Sequence, residues 1–149
     1  MTYNKERHKE LVIRSEELNK QGKNFYRENV EEYFELNRYD IGVEEEVFWT
    51  KQEAFVKIMK NFLDNILDFD EFETAFTLLY WEVRKEFDIL KIDLEYIDKF
   101  QPSTRPYRFA SFMCSIYREF EEVEDEYCTE EELKDSVKEA YLKFKNFEE

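Results

Sequence analysis

From residue 50 onward, apolar side chains recur at helical spacing. Phe55, Ile58, Met59, Phe62, Leu63, Ile66 and Leu67 stand three and four apart on one helical face, and Thr50-Lys51-Gln52-Glu53 ahead of them reads as a capping box. Phe72, Phe76, Leu79, Tyr80, Val83 and Phe87 predict a second helix, capped by Asp68 or Asp70 and with its acids at the N-terminal end that the helix dipole favours. Leu90, Leu94, Ile97 and Phe100 predict a shorter helix over 88–100, closed by the loop Gln101-Pro102-Ser103-Thr104-Arg105-Pro106. Phe109, Phe112, Met113, Ile116, Tyr117, Phe120 and Val123 mark a long helix. Thr129 with Glu132 forms a capping box for a last one, which carries Leu133, Val137, Ala140, Tyr141 and Phe144.

The first 49 residues are less regular. Leu11, Ile13 and Leu18 suggest one helix, and Phe25, Val30, Tyr33, Phe34 and Leu36 another, separated near Gly22. The expected fold is all-α: an antiparallel helical bundle of four main helices in residues 50–149, with residues 1–49 as an N-terminal helical extension packed on it. No repeat at a fixed period appears, so a solenoid is not expected.

Composition supports this reading. A chain of 149 residues with 42% hydrophobic and 18% aromatic side chains can bury a core, even though 40% of it is charged. Two glycines and two prolines are too few for the turns of a sandwich or barrel. Gly22 and Gly42 stand alone, which excludes a Rossmann fingerprint or a P-loop. The start has no apolar leader core, and no run approaches about 18 uncharged apolar residues. The expectation is a cytoplasmic protein, or one of an organellar matrix or stroma, with no membrane partner and monomeric when free. Cys114 and Cys128 read as unpaired thiols of a reducing compartment.

Candidate chemistry is sparse. His8 is the sole histidine, which removes serine and cysteine triads and paired Glu-x-x-His ligands, and its charged neighbours suggest an exposed position. Asp68, Asp70 and Glu73 resemble the start of a calcium loop, but the central glycine and the glutamate at loop position twelve are missing, so helix capping explains them. No catalytic residue, metal ligand or cofactor is assigned, and the chain is not expected to be an enzyme.

Charge points elsewhere. A net charge of −15 repels phosphate backbones, which disfavours direct nucleic-acid binding, and steers cationic proteins inward. Most of it lies in residues 50–149, with 14 basic and 25 acidic side chains. In EFEEVEDEYCTEEE, residues 119–132, nine of fourteen residues are acidic and none is basic. Like charges at helical spacing cost a few tenths of a kcal/mol per pair, a cost that a cationic partner would offset. The candidate partner-binding residues are therefore Glu119, Glu121, Glu122, Glu124, Asp125, Glu126, Glu130 and Glu131, aided by Asp68, Asp70 and Glu71. Tyr127, among these acids, is the candidate aromatic anchor; Tyr107 and Tyr117 lie nearby, Tyr117 on the core stripe.

FLDNILDFDEFETAFTLLYWEV from Phe62, the stretch ending DKFQP, and EEELKDSVKEAYLKF up to Phe144 together resemble the colicin D type immunity proteins. Those are small bundles with a helix, a turn opening on an acid and a phenylalanine, a long helix and an acidic closing helix. The likeness spans roughly residues 50–149. Residues 1–49 have no counterpart, and the family's glycine in the first turn gives way to Leu67-Asp68-Phe69-Asp70. The resemblance implies inhibition of a tRNA-cleaving toxin domain, with carboxylates standing in its basic RNA-binding cleft where phosphates would lie. The alternative is a structural or regulatory helical subunit of a larger complex, bound through its apolar faces.

Overall fold

The computed structural model describes residues 2–105 and 108–146. Among them the fold is an all-α helical bundle of eight helices with no strand: α1 (Lys5–Lys20), α2 (Phe25–Glu28), α3 (Val30–Thr50), α4 (Gln52–Leu63), α5 (Phe69–Leu90), α6 (Leu94–Lys99), α7 (Phe109–Glu124) and α8 (Glu130–Phe144). They form two compact units, one from residues 1–47 and 85–105, the other from 48–84 and 106–149. No helix among the described residues is long and apolar enough to cross a membrane.

In the first unit, Asn4 caps α1 by accepting from the Arg7 N–H at 3.0 Å. Gly22 ends that helix at φ 68, where a side chain would be strained, and the Lys23 N–H turns back onto the Leu18 carbonyl at 2.9 Å. Leu11 and Val12 pack with Phe25, with Leu36 and Tyr39 of α3, and with Ile97 of α6. Ile13, expected with them, faces outward at 44% exposure. Arg7 braces α1 to α3 through both oxygens of Glu35, at 2.9 and 2.8 Å, and Lys9 ties α1 to Asp98 of α6 at 2.8 Å.

His8 corrects the expectation of an exposed residue, for it has no exposed surface at all. Its spacing from Leu11 and Val12 places it on the apolar face of α1, a placement that its charged sequence neighbours conceal. The ring stacks on Tyr39 with centroids 4.9 Å apart, and Nδ1 lies 2.8 Å from the Tyr3 hydroxyl. Burial pulls its pKa down to about 4, so the imidazole is neutral at neutral pH.

Two expected boundaries also shift. The helix expected over 88–100 is divided, because α5 continues to Leu90 and α6 starts afresh from Asp93, whose Oδ1 accepts from the Glu95 and Tyr96 N–H groups. The capping box at Thr50 does not form: α3 runs on through the buried Phe48 and Trp49 to Thr50, and α4 opens on Lys51 without a side-chain cap.

The second unit holds α4, α5 up to Arg84, α7 and α8 around an aromatic core. Phe55, Phe72, Phe76, Phe109 and Phe144 are each fully buried, which stabilises the fold by about 1.5–3 kcal/mol per ring. Phe62 stacks on Phe72 at 4.3 Å to join α4 to α5, Phe109 meets Phe144 edge-on at 4.9 Å to join α7 to α8, and Phe76 meets Phe120 at 5.5 Å to join the two hairpins. Gln52 Nε2 donates to the Phe144 carbonyl at 2.8 Å, while Lys134 Nζ donates to Asn65 Oδ1 at 3.1 Å. The start of α4 thus lies at the end of α8 and the end of α4 at the start of α8, so the two run antiparallel. Both hairpin turns therefore sit at one end of this unit.

Candidate functional site

The two hairpins close in the same way although their sequences differ. α4 ends with Asn65 at φ 60, the Asn65 N–H bonding back to Phe62 at 3.1 Å and the Ile66 N–H to Asn61 at 2.9 Å. α7 ends with Glu126 at φ 64, its N–H bonding to Val123 at 3.2 Å and the Tyr127 N–H to Glu122 at 2.8 Å. Each is a Schellman turn, and each is followed by a capping box. In the first, the Glu71 N–H donates to Asp68 Oδ1 at 2.8 Å and the Asp68 N–H to Glu71 Oε1 at 3.1 Å, so Asp68 is the cap. In the second, the Glu132 N–H donates to Thr129 Oγ1 at 3.1 Å and the Thr129 N–H to Glu132 Oε1 at 3.3 Å.

This repeated geometry gathers the acids. Asp68, Asp70 and Glu71 of the first turn share one end of the unit with the run from Glu119 to Glu132. Glu121, Glu122, Glu124, Asp125, Glu126, Glu130 and Glu131 are exposed, and none of them is ion-paired among the described residues. Their placement is unequal. Glu130 and Glu131 occupy the first turn of α8, which the helix dipole favours; Glu121, Glu122 and Glu124 crowd the last turn of α7, where the dipole opposes them and no basic residue stands.

Two carboxylates are partly withdrawn from water within this array. Burial pushes the Glu73 pKa up, and Glu124 and Asp70 push it further. Glu119 accepts from Ser136 Oγ at 2.9 Å, yet burial, with Glu122, Glu132 and Glu139 behind it, raises its pKa too. One oxygen of each, Glu73 Oε2 and Glu119 Oε2, is buried without a hydrogen-bond partner. Such groups bear the repulsion of the surrounding charge directly.

The turns also present two apolar side chains at equivalent positions, Ile66 at 65% and Tyr127 at 84% exposure. Ile66 corrects its assignment to the core stripe, because α4 stops at Leu63 and the reversal turns the next apolar residue outward. Sequence reasoning also missed Glu73 as a member of the acidic group. Tyr117 is half-buried and stacks on Tyr80 at 4.0 Å; Tyr107 lies outside the described residues. Among the described residues, no three His, Cys, Asp or Glu side chains are grouped to hold a metal ion, and Cys114 and Cys128 are not joined in a disulfide. Compared with known proteins, the chain matches no family model, no curated protein and no solved structure.

Proposed function

We propose that this chain is an acidic binding protein of the immunity or antitoxin kind, which inhibits a basic nuclease by filling its RNA-binding cleft with carboxylates. The observation that carries the reading is the convergence of both hairpin turns, with their unpaired acids and the exposed Ile66 and Tyr127, on one end of the second unit. Carboxylates there replace RNA phosphates against the Lys and Arg side chains of the partner, and Tyr127 supplies a rigid apolar anchor. Glu121, Glu122 and Glu124, opposed by the α7 dipole in the free protein, become favourable once a cation covers them. The resemblance of residues 50–149 to tRNase immunity proteins supplies the class of partner.

The test is an RNA-cleavage assay on the basic protein that the chain captures. Stoichiometric chain should stop cleavage, and the Glu121→Lys/Glu122→Lys/Glu124→Lys variant should not. A captured partner without nuclease activity would refute the inhibitor reading.

A second reading, a subunit of a larger assembly, is favoured by Leu78 and Trp81, which stand 70% and 55% exposed on α5. An assembly held by such apolar surface persists in high salt, whereas an acid-driven complex weakens.

A further inference from the structure

We propose that the hollow between α1 and α3 in the first unit binds a small organic ammonium, an alkylamine or short diamine, with Asp40 as its charge partner. The hollow measures about 860 Å³, within the range of small-ligand sites. Ser15 and Asn19 line it from α1, Asn37 and Asp40 from α3. Residues three and four apart on facing helices ordinarily close such a seam with apolar side chains; here Val12 and Leu36 do so at its floor, and Ser15, Asn19, Asn37 and Asp40 leave the rest open and polar.

Among the described side chains that line the hollow, Asp40 is left unsatisfied. Its Oδ1 is buried and has no hydrogen-bond partner. Burial raises its pKa to about 7, even though Lys91 opposes the shift. Lys91 is engaged elsewhere, 3.3 Å from Asp88 and over the Phe87 ring at 5.2 Å. A carboxylate that lines a hollow with one oxygen unpartnered gains most from a cationic donor.

The surroundings select the ligand class. The rings of Tyr26 and Tyr33, edge to face at 5.4 Å, line the same hollow, and a lining that holds both aromatic rings and a carboxylate suits an alkylammonium. The polar side chains from both helices disfavour a wholly apolar ligand, and with Asp88 paired to Lys91, Glu16 and Asp40 outweigh Lys23 and disfavour an anion. This site lies outside the acidic end of the second unit and does not depend on the proposed role of that end.

The test is a nitrogen-15 chemical-shift titration of the full chain with 1,4-diaminobutane, run above the Asp40 value of about 7. Saturable shifts should fall on Ser15, Asn19, Asn37 and Asp40. Asp40→Asn should weaken binding roughly tenfold or more, while Glu121→Gln/Glu122→Gln/Glu124→Gln leaves it unchanged. If Asp40→Asn fails to fold, Asn37→Trp, which keeps the carboxylate but places a bulky ring in the hollow, should give the same loss. Shifts confined to residues 119–132, absence of saturation, or full binding by a folded Asp40→Asn or Asn37→Trp protein would overturn the proposal.

Discussion

Lys134 Nζ reaches across from α8 to Asn65 Oδ1 at 3.1 Å, with its ammonium 5.5 Å from the centroid of the Phe62 ring. This contact spans the two hairpins of the second unit at the end where the acids gather. Lys134→Met should therefore lower stability by about 1 kcal/mol, and by more at low than at high salt, since it also removes a cation from an acidic surface. Urea unfolding at two ionic strengths measures both.

The left-handed position of each turn is a second source of measurable energy. Gly22, Asn65 and Glu126 occupy it in α1, α4 and α7, and glutamate tolerates it least. Glu126→Gly should stabilise the protein by about 0.5–1 kcal/mol and Asn65→Gly by less. Glu126→Gln separates backbone from charge: if it stabilises as much as Glu126→Gly in denaturant titrations, repulsion and not φ is the governing cost.

Glu73 and Glu119 give the acidic end a pH dependence. Both have pKa values raised in the fold, so the folded protein holds protons that the unfolded chain has released. Their stabilising contribution is complete below the ordinary value of 4.5 and is lost as pH rises through the raised values. Glu73→Gln/Glu119→Gln should flatten the fall in melting temperature on the alkaline side of that value. Binding of a cationic partner should draw protons off both groups, visible as buffer-dependent heat in calorimetry.

His8 acts with the opposite sign. Its pKa falls from 6.5 to about 4, so its contribution is complete above 6.5 and is lost as pH drops toward 4. The C2 proton of His8 should titrate far below a free histidine in one-dimensional NMR. His8→Ala, which empties the space between Tyr3 and Tyr39, should cost roughly 2–4 kcal/mol in chemical unfolding.

Local pattern carried the helices, and tertiary placement carried what the pattern missed. The stripes through Phe72 and Phe76 and through Met113 and Phe120 are legible because three-and-four spacing of large apolar residues has one economical solution. The same capping signature formed at Thr129 and failed at Thr50, because burial of Phe48 and Trp49 keeps α3 helical past the point where Thr50 could cap. His8 was hidden by its charged neighbours, and Ile66 was drawn onto a stripe that the turn at Asn65 cuts short. The run from Glu119 to Glu132 is plain in the sequence; its union with Asp68 and Glu73 is not, since it depends on two distant hairpins closing at one end.

The most direct test of the acidic end as the binding surface compares two sets of charge reversals against the captured basic partner at low salt. Glu121→Lys/Glu122→Lys/Glu124→Lys/Asp125→Lys should weaken binding by about a hundredfold or more, whereas the equally large reversal Glu16→Lys/Glu17→Lys/Glu28→Lys/Glu31→Lys in the first unit should cost far less. Equal losses from the two sets would show that net charge alone draws the partner, and an unchanged affinity in the first set would contradict the account.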